Sequence, residues 1–561
     1  MATRGKVVAG ARGNCVHVAG AANFLALAEQ VGYEPVFLGP AVAVDRFVAA
    51  VAEHDPEIVG IGYRLTPEVL PGLLAELRAA LAERDLLRGR RYVFGGTPPT
   101  AAAATAAGWF ERAFTGFETT EEVIAFLRGE ELADSDEHYG ATQLERLRAK
   151  APYPLLRHHF GLPTLEETLA GVRQIALSKL VDVISLAPDQ NAQECFFRPE
   201  EMDPALDGAG GVPIRTADDL RRLYQASRCG NHPLLRIYSG TRDLVRWAEL
   251  AHETIHNAWG AIPLCWYSEL DGRSRRGVAE AIAENQAAMR WHAEHGVPVE
   301  VNESHHWSLR EAHDAVAVAM AYLAAYNARQ MGVRHYIAQY MFNTPAGTYA
   351  TMDLAKMLAK AELIESLHNE QFTTFRQVRA GLLHFAPDLE LAKGQLAAST
   401  MLALALKPHI IHVVGFTEGD HAARPAEVIE SCKIVRGVLK NCLFGLPDMA
   451  ADPRVQQRKE QLVADARRII AGIGTLGDGR ADPLADPETL SLAVRTGLVD
   501  APQLRGNPAA AGLTCTRTIE GAVYAIDPET RQILPEAERI RRLLPAAAHA
   551  ARDLPPEGTW P

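Results

Sequence analysis

Along the first 130 residues, short apolar runs alternate with longer amphipathic stretches. The runs at 6–9, 34–38, 58–63, 92–94 and 112–115 read as strands, and the stretches at 24–31, 43–54, 67–84, 98–108 and 119–128 as helices. Alternation at this spacing predicts parallel β-α-β units and a doubly wound, flavodoxin-like or Rossmann-like sheet over residues 1–130. Residues 131–175 change character, acidic at first and then broken by Pro152, Pro154 and Pro163. This segment is expected to be a linker, with His158-His159 solvated rather than metal-binding. From 176 to 450 strand and helix alternate again, with strands expected at 182–188, 211–215, 234–239, 262–267, 297–301, 335–340, 381–385 and 410–414. Eight such units predict a TIM (β/α)8 barrel. Residues 451–561 are expected to form a helical and extended tail packing on it.

Composition narrows the function classes. A chain of 561 residues exceeds what one core supports. With 48% hydrophobic and 22% charged residues it has the profile of a globular protein. A net charge of -12 argues against nucleic acid or an anionic membrane as partner. The seven cysteines include no C-x-x-C pair, so neither a zinc knot nor a disulfide framework is indicated. No apolar run approaches the roughly 18 residues of a membrane span, and no secretory h-region follows the first residues. A cytoplasmic protein is expected, with a small-molecule substrate and a homodimeric state.

Candidate chemistry sits where the predicted strands end. The first strand runs into a Gly-bounded turn with one imidazole, Gly13-Asn14-Cys15-Val16-His17-Val18-Ala19-Gly20. A ligand in an open α/β sheet binds at such strand ends, and neutral imidazole is the commonest side-chain metal ligand. Neither G-x-G-x-x-G nor a P-loop is present, so nucleotide binding has little support. In the predicted barrel the strand ends carry Arg198, Tyr238, Arg242, Tyr267, Glu269, Arg273, Asn302, Glu303, His305, Gln339 and Asn343. Chemistry in this fold belongs to those loops.

The first 130 residues resemble the cobalamin-binding domain family. That family carries Asp-x-His-x-x-Gly after its first strand, a Ser-x-Leu segment after the third and Gly-Gly after the fourth. Here stand Cys15-Val16-His17-Val18-Ala19-Gly20, Ile61-Gly62-Tyr63-Arg64-Leu65-Thr66 and Phe94-Gly95-Gly96. The resemblance implies cobalamin as cofactor, His17 as the lower cobalt ligand, and Cys15, Gly20, Gly62, Leu65, Gly95 and Gly96 around the cofactor and its tail. Two positions depart from the pattern: Cys15 replaces the Asp that orients the ligand imidazole, and Gly62 stands for the Ser. Loss of such an orienting group costs roughly 10–100-fold in affinity or activity. Either Asn14 substitutes as partner or coordination is weaker.

The rest of the chain resembles the large barrel subunit of cobalamin-dependent glutamate mutase (methylaspartate mutase). The similar segments are Ala315-Val316-Ala317-Val318-Ala319 with Gly332-Val333-Arg334-His335, the stretch 397–406 running into 409–414, and Gly497-Leu498-Val499-Asp500-Ala501-Pro502 with Gly521-Ala522-Val523-Tyr524 and Leu534-Pro535. In that family the cobalamin subunit and the barrel are separate chains; here they are fused, cobalamin domain first. The resemblance implies an adenosylcobalamin-dependent radical mutase, an isomerase, acting on a small carboxylate-bearing substrate. The family's substrate arginines are only partly matched, by Arg198, with Arg242 and Arg273 as candidates for a rearranged clamp, so the substrate need not be glutamate. Glu269, Glu303 and His305 are the candidate catalytic, proton-handling groups; Tyr238, Tyr267, Asn302, Gln339 and Asn343 are expected to line the cavity. The family's strand-eight Lys is replaced around Gly415. A pyridoxal-phosphate aminomutase would need a lysine where this chain has only Lys6. A methylcobalamin-dependent methyltransferase and a non-enzymatic cobalamin carrier or sensor are the alternatives.

Overall fold

The computed structural model describes residues 4–118, 120–130, 139–443 and 445–544. The chain forms two compact units, Met1–Ala133 and Asp134–Pro561, and none of the described helices is long and apolar enough to cross a membrane.

The first unit is a five-stranded, all-parallel sheet of β1 (Lys6–Arg12), β2 (Glu34–Val42), β3 (Ile58–Tyr63), β4 (Arg91–Gly96) and β5 (Arg112–Phe114), ordered β2-β1-β3-β4-β5. Five helices connect them: α1 (Ala19–Gln30), α2 (Val44–His54), α3 (Leu70–Glu83), α4 (Pro98–Ala106) and α5 (Thr120–Arg128). α1 packs with α5, while α2, α3 and α4 pack in series, so the sheet is covered on both faces. Continuous apolar runs such as Val7–Ala9 and Ile58–Ile61 follow from that double cover, since every side chain of a central parallel strand is buried. Strand order reverses between β1 and β3, and that switch point is where this architecture opens a ligand crevice. Gly96 closes the β4 end: a Cβ there would meet Thr100 Oγ1 and lie 2.6 Å from Tyr63 O. Gly96→Ala should cost about 1–3 kcal/mol by overpacking, read as faster amide exchange across β4 and α4 in the intact chain.

The second unit is an eight-stranded parallel barrel of β6 (Leu155–Phe160), β7 (Val183–Leu186), β8 (Leu234–Ile237), β9 (Gly260–Ile262), β10 (Val299–Val301), β11 (His335–Met341), β12 (Thr373–Arg379) and β13 (Ile410–Val413). Seven neighbouring pairs form ladders. The β8–β9 seam is bridged by backbone bonds from Ala258 N to Leu235 O (2.9 Å) and Ser239 N to Ala261 O (3.2 Å). The barrel is therefore nearly closed and TIM-like.

Four sequence expectations need correcting. Residues 155–160, expected in a linker, are the first barrel strand, and 165–177 the first barrel helix. The helix Gln143–Lys150 is also part of this unit: Lys150 pairs with Asp182 (2.5 Å), Arg146 donates to Asn231 O and His232 O, and Leu147 packs on the barrel floor. His158 is buried, not solvated, and His159 is half-buried. The expected strand at 211–215 is a loop touching Pro188 by one bridge at Val212; Gly211 crosses Ala187 too closely for a Cβ. The seventh strand is Thr373–Arg379, not 381–385, which holds a single 3-10 turn.

Side chains at alternate strand positions face one another inside the barrel. Leu155, Val183, Leu234, Trp259, Ile337 and Ile410 form an apolar floor. Two residues further along the strands the interior turns polar, at Arg157, Ser185, Arg236, Gln339 and His412, joined by Glu300 and Gln377, all buried. The tail completes the unit. The long helix Pro453–Leu476 packs on the helices Asp314–Gln330 and Ala350–Glu365, and a hairpin of β14 (Thr516–Ile519) and β15 (Ala522–Ala525) precedes the helix Glu536–Leu543. Buried Asp314 ties these together, pairing with Arg458 (2.9 Å) and Lys356 (3.3 Å) and accepting from Val523 N (3.0 Å).

Candidate functional site

The crevice of the first unit lies at the carboxyl ends of β1 and β3. Gly13 turns the chain out of β1 with φ +65°, where a side chain is strained. Cys15 then turns inward, fully buried, and His17 stands exposed just ahead of α1. Cys15 Sγ lies 3.6 Å from His17 Nδ1 and accepts from Arg64 N at 3.4 Å. The thiol thus joins the loop after β1 to the loop after β3, and the partner at the imidazole is Cys15, not Asn14. With Nδ1 turned to the thiol, Nε2 faces outward, the arrangement a metal-ligating imidazole adopts. Around it the backbone is bare: a Cβ on Gly20 or Gly95 would meet nothing within 4 Å, and one on Gly62 would come to 3.5 Å from Gly10 O. Val16 (64% exposed) and Leu65 (39%) offer apolar surface beside the ring. An outward imidazole, a glycine-lined slot and an apolar rim fit a large planar metal cofactor with a tail. Gly96 differs from the other glycines, since packing alone explains it.

Inside the barrel, Arg157 is fully committed: Nε donates to Ser185 Oγ (2.6 Å), Nη1 to Gln377 Oε1 (3.0 Å) and Nη2 to His159 Nε2 (2.5 Å). Tyr238 OH donates to the same His159 nitrogen at 3.0 Å. Two donors on one ring nitrogen place the proton on Nδ1 and keep the ring neutral; burial and the neighbouring Arg157 hold its pKa well below the usual range. Burial does the same to His412, whose ring lies 4.5 Å from that of His159. Glu300 is the counter-ion of the interior, accepting from Trp259 Nε1 (2.7 Å) and Arg236 (3.2 Å) and lying 3.6 Å from Arg157. Burial alone would push its carboxyl up, but Arg236 and Arg157 outweigh that and hold it below the ordinary range. Arg236 Nε and Nη1 and Asn302 Nδ2 are sealed from solvent with no acceptor. Gln339 links the interior to the rim, accepting from Gln377 (3.2 Å) and meeting His305 Nδ1 at 2.9 Å.

Of the residues expected at the strand ends, Tyr238, Asn302, Gln339 and His305 do share this interior. Tyr267 reaches the rim at φ +60°, its ring under the Arg273 guanidinium at 4.7 Å and near His306; Arg273 itself is half-exposed beside Asp271. The others are engaged elsewhere. Arg198 forks onto Asp243 and Arg242 pairs with Glu201, so neither offers a free fork. Glu269 is exposed and accepts from Val278 N at the start of a helix. Asn343 Oδ1 accepts from Ser399 Oγ (2.7 Å). Glu303 is a bolt, not a surface for substrate: it is fully buried, accepting from Leu264 N (2.9 Å), Cys265 N (3.0 Å) and Trp307 Nε1 (2.8 Å). Burial pushes its carboxyl up to about 7.

The residues missed were Arg157, His159, Arg236, Glu300, Gln377, Arg379 and His412. They carried a signal, a polar residue two places after an apolar one within a strand, as in Leu155-x-Arg157-x-His159, Leu234-x-Arg236-x-Tyr238 and Ile410-x-His412. Period-two polarity inside an apolar strand marks a polar barrel interior.

The fold thus defines an α/β protein in which a doubly wound sheet with an exposed imidazole at its switch point accompanies a parallel barrel with a cationic interior. Residues 5–125 match the B12 binding domain family, so the first unit is a B12-binding domain. No curated protein matches the chain. Among solved structures, a novel cobalamin-binding protein from Desulfitobacterium hafniense DCB-2 is 27% identical over 22% of this chain and 58% of its own, with a TM-score of 0.20. The cobalamin-dependent S-adenosylmethionine radical enzyme OxsB, with aqua-cobalamin and S-adenosylmethionine bound, is 9% identical over 83% of this chain and 56% of its own, with a TM-score of 0.22. The chain therefore spans less than two thirds of either. Apo, selenomethionine-labelled OxsB gives 11% identity, 87% and 70% coverage and a TM-score of 0.18.

Proposed function

We propose that the protein is an adenosylcobalamin-dependent radical mutase, an isomerase of a small carboxylate-bearing substrate. The observation that carries this reading is the pairing, in one chain, of a B12-binding domain with a barrel interior whose three buried guanidinium groups, Arg157, Arg236 and Arg379, outnumber the nearby carboxylates of Glu300 and Glu418. Bound adenosylcobalamin supplies an organic radical through cleavage of its cobalt–carbon bond; positioning and shielding fall to the protein. In the first unit His17 Nε2 would hold the cobalt, and Gly20, Gly62, Leu65 and Gly95 would border the cofactor. In the barrel the surplus of guanidinium groups attracts an anion and orients it. The neutral imidazoles of His159 and His305 accept or donate hydrogen bonds without adding charge. The hydroxyl of Tyr238 is fixed by His159, and the apolar floor beneath keeps water out.

The anaerobic chain loaded with adenosylcobalamin, then mixed with small amino and acyl acids, should show cob(II)alamin absorbance and an organic-radical signal with one of them. Demethylation of methylcobalamin by a thiol acceptor, with no radical from any acid, would instead indicate a methyltransferase. Equal cobalamin binding by wild type and His17→Ala would remove the assigned ligand.

A further inference from the structure

We infer that Arg379 is the residue that receives the anionic group of the substrate, end-on, through its two terminal nitrogens. It is the last residue of β12, two places after Gln377, whose side chain bonds Arg157 and Gln339 inside the barrel. Strand alternation therefore turns Arg379 inward as well, at the carboxyl end of the barrel. It is only 7% exposed. The only hydrogen bond of its guanidinium among the described residues runs from Nε to Ala380 O at 3.2 Å, and it forms no ion pair.

The other two interior arginines are differently placed. Every guanidinium nitrogen of Arg157 already has an acceptor. Arg236 gives Nη2 to Glu300 and stacks on Tyr238 at 4.6 Å, and its remaining nitrogens are sealed from solvent. Of the three, only Arg379 has terminal nitrogens that carry no hydrogen bond and are not sealed from solvent. Tyr238, Glu300 and Glu418, the last on the neighbouring loop after β13, act on it through space, but none of them forms an ion pair with it, and Glu300 is held by Arg157 and Arg236. The charge of Arg379 acts in turn on His305, where it adds to burial, His306, Lys360 and Arg310 in disfavouring the imidazolium.

A nearly buried cation without a directly paired counter-ion is costly to a folded protein unless a ligand supplies one. With Nε occupied, the open edge is the pair of terminal nitrogens, which matches the two oxygens of a carboxylate. Asn302 and Gln339 stand among the uncharged amides of the same interior. This inference rests on the carboxylate part of the proposed function and not on its cobalamin chemistry.

The test therefore uses the full chain without cobalamin, by thermal unfolding and calorimetry with succinate, acetate, phosphate and neutral succinamide. Succinate should raise the unfolding midpoint of wild type and of Arg198→Met, and succinamide should not. Arg379→Met should bind succinate about 30-fold or more weakly, while unfolding at or above the wild-type midpoint in the absence of ligand. Arg379→Lys keeps the charge without the fork and should fall between, which decides the matter if the Met variant folds poorly. An unchanged succinate affinity in both variants, no carboxylate response in wild type, or a phosphate response exceeding succinate's would each overturn the assignment. A carboxylate response lost in Arg379→Met but unaccompanied by radical formation in the loaded enzyme would leave Arg379 standing and remove the mutase reading.

Discussion

Glu300→Gln is expected to lower the stability of the barrel unit by about 3–5 kcal/mol, the cost of stranding buried charge. The substitution leaves Arg157 and Arg236, both essentially unexposed, with no carboxylate between them. It also changes the acceptor of Trp259 Nε1, so indole fluorescence during urea unfolding reports the loss. The double variant Glu300→Leu with Arg236→Met should recover part of it, because neutral packing replaces a charge network rather than half of one. The effect has a pH signature. Glu300 is held below the ordinary carboxylate range in the folded state, so its contribution is complete above the unfolded-state value and lost as pH falls through the folded one. The gap between wild type and Glu300→Gln should be full at neutral pH and close on acidification. Equal unfolding midpoints at pH 7 would contradict the ion-pair account.

His17→Ala should have the largest effect on the cofactor. The cob(II)alamin form of wild type is expected to show nitrogen splitting that isotope labelling assigns to histidine in its electron paramagnetic resonance spectrum, and the variant no histidine contribution. The affinity loss should exceed the roughly 10–100-fold typical of removing an orienting partner alone. Cys15 makes the comparison graded. A thiol is a weak hydrogen-bond acceptor beside a carboxylate, so Cys15→Asp should tighten binding and raise the nitrogen-ligated fraction, whereas Cys15→Ala should lower both. Indifference of the spectrum to all three changes would rule out His17 as the ligand.

The first unit was largely legible because burial on both faces writes central parallel strands as unbroken apolar runs. The expected 58–63 coincides with β3, and the turn after β1 was recognisable from its glycines and its imidazole. The barrel was harder to read where its interior is polar. Leu-Leu-Arg-His-His-Phe at 155–160 and Thr-Thr-Phe-Arg-Gln-Val-Arg at 373–379 do not look like buried strands, since alternate side chains face other polar groups instead of a hydrocarbon core. The first lies within the expected linker, and the second several residues ahead of the expected seventh strand. The pairing of the arginines was illegible for a related reason. Arg198 and Arg242 lie in loops, as substrate-binding residues often do, but whether a guanidinium is free depends on its neighbours in space. Asp243 and Glu201 occupy those two, and nothing in local sequence marks Arg379 as unpaired.

The buried Asp314 sets where this chain can be divided. Arg458 and Val523 reach it from the tail and Lys356 from the barrel helices, so a polypeptide stopped near residue 450 would keep the carboxylate and Lys356 but lose two of the three groups that satisfy it. It would also uncover the helices Asp314–Gln330 and Ala350–Glu365, whose faces carry Leu354, Met357 and Val318 at 0–1% exposure. The tail is thus the outer wall on one side of the barrel. In any exchange of modules between related chains, the barrel and its tail, from Gln143 to Leu543, would have to travel as one inheritable piece.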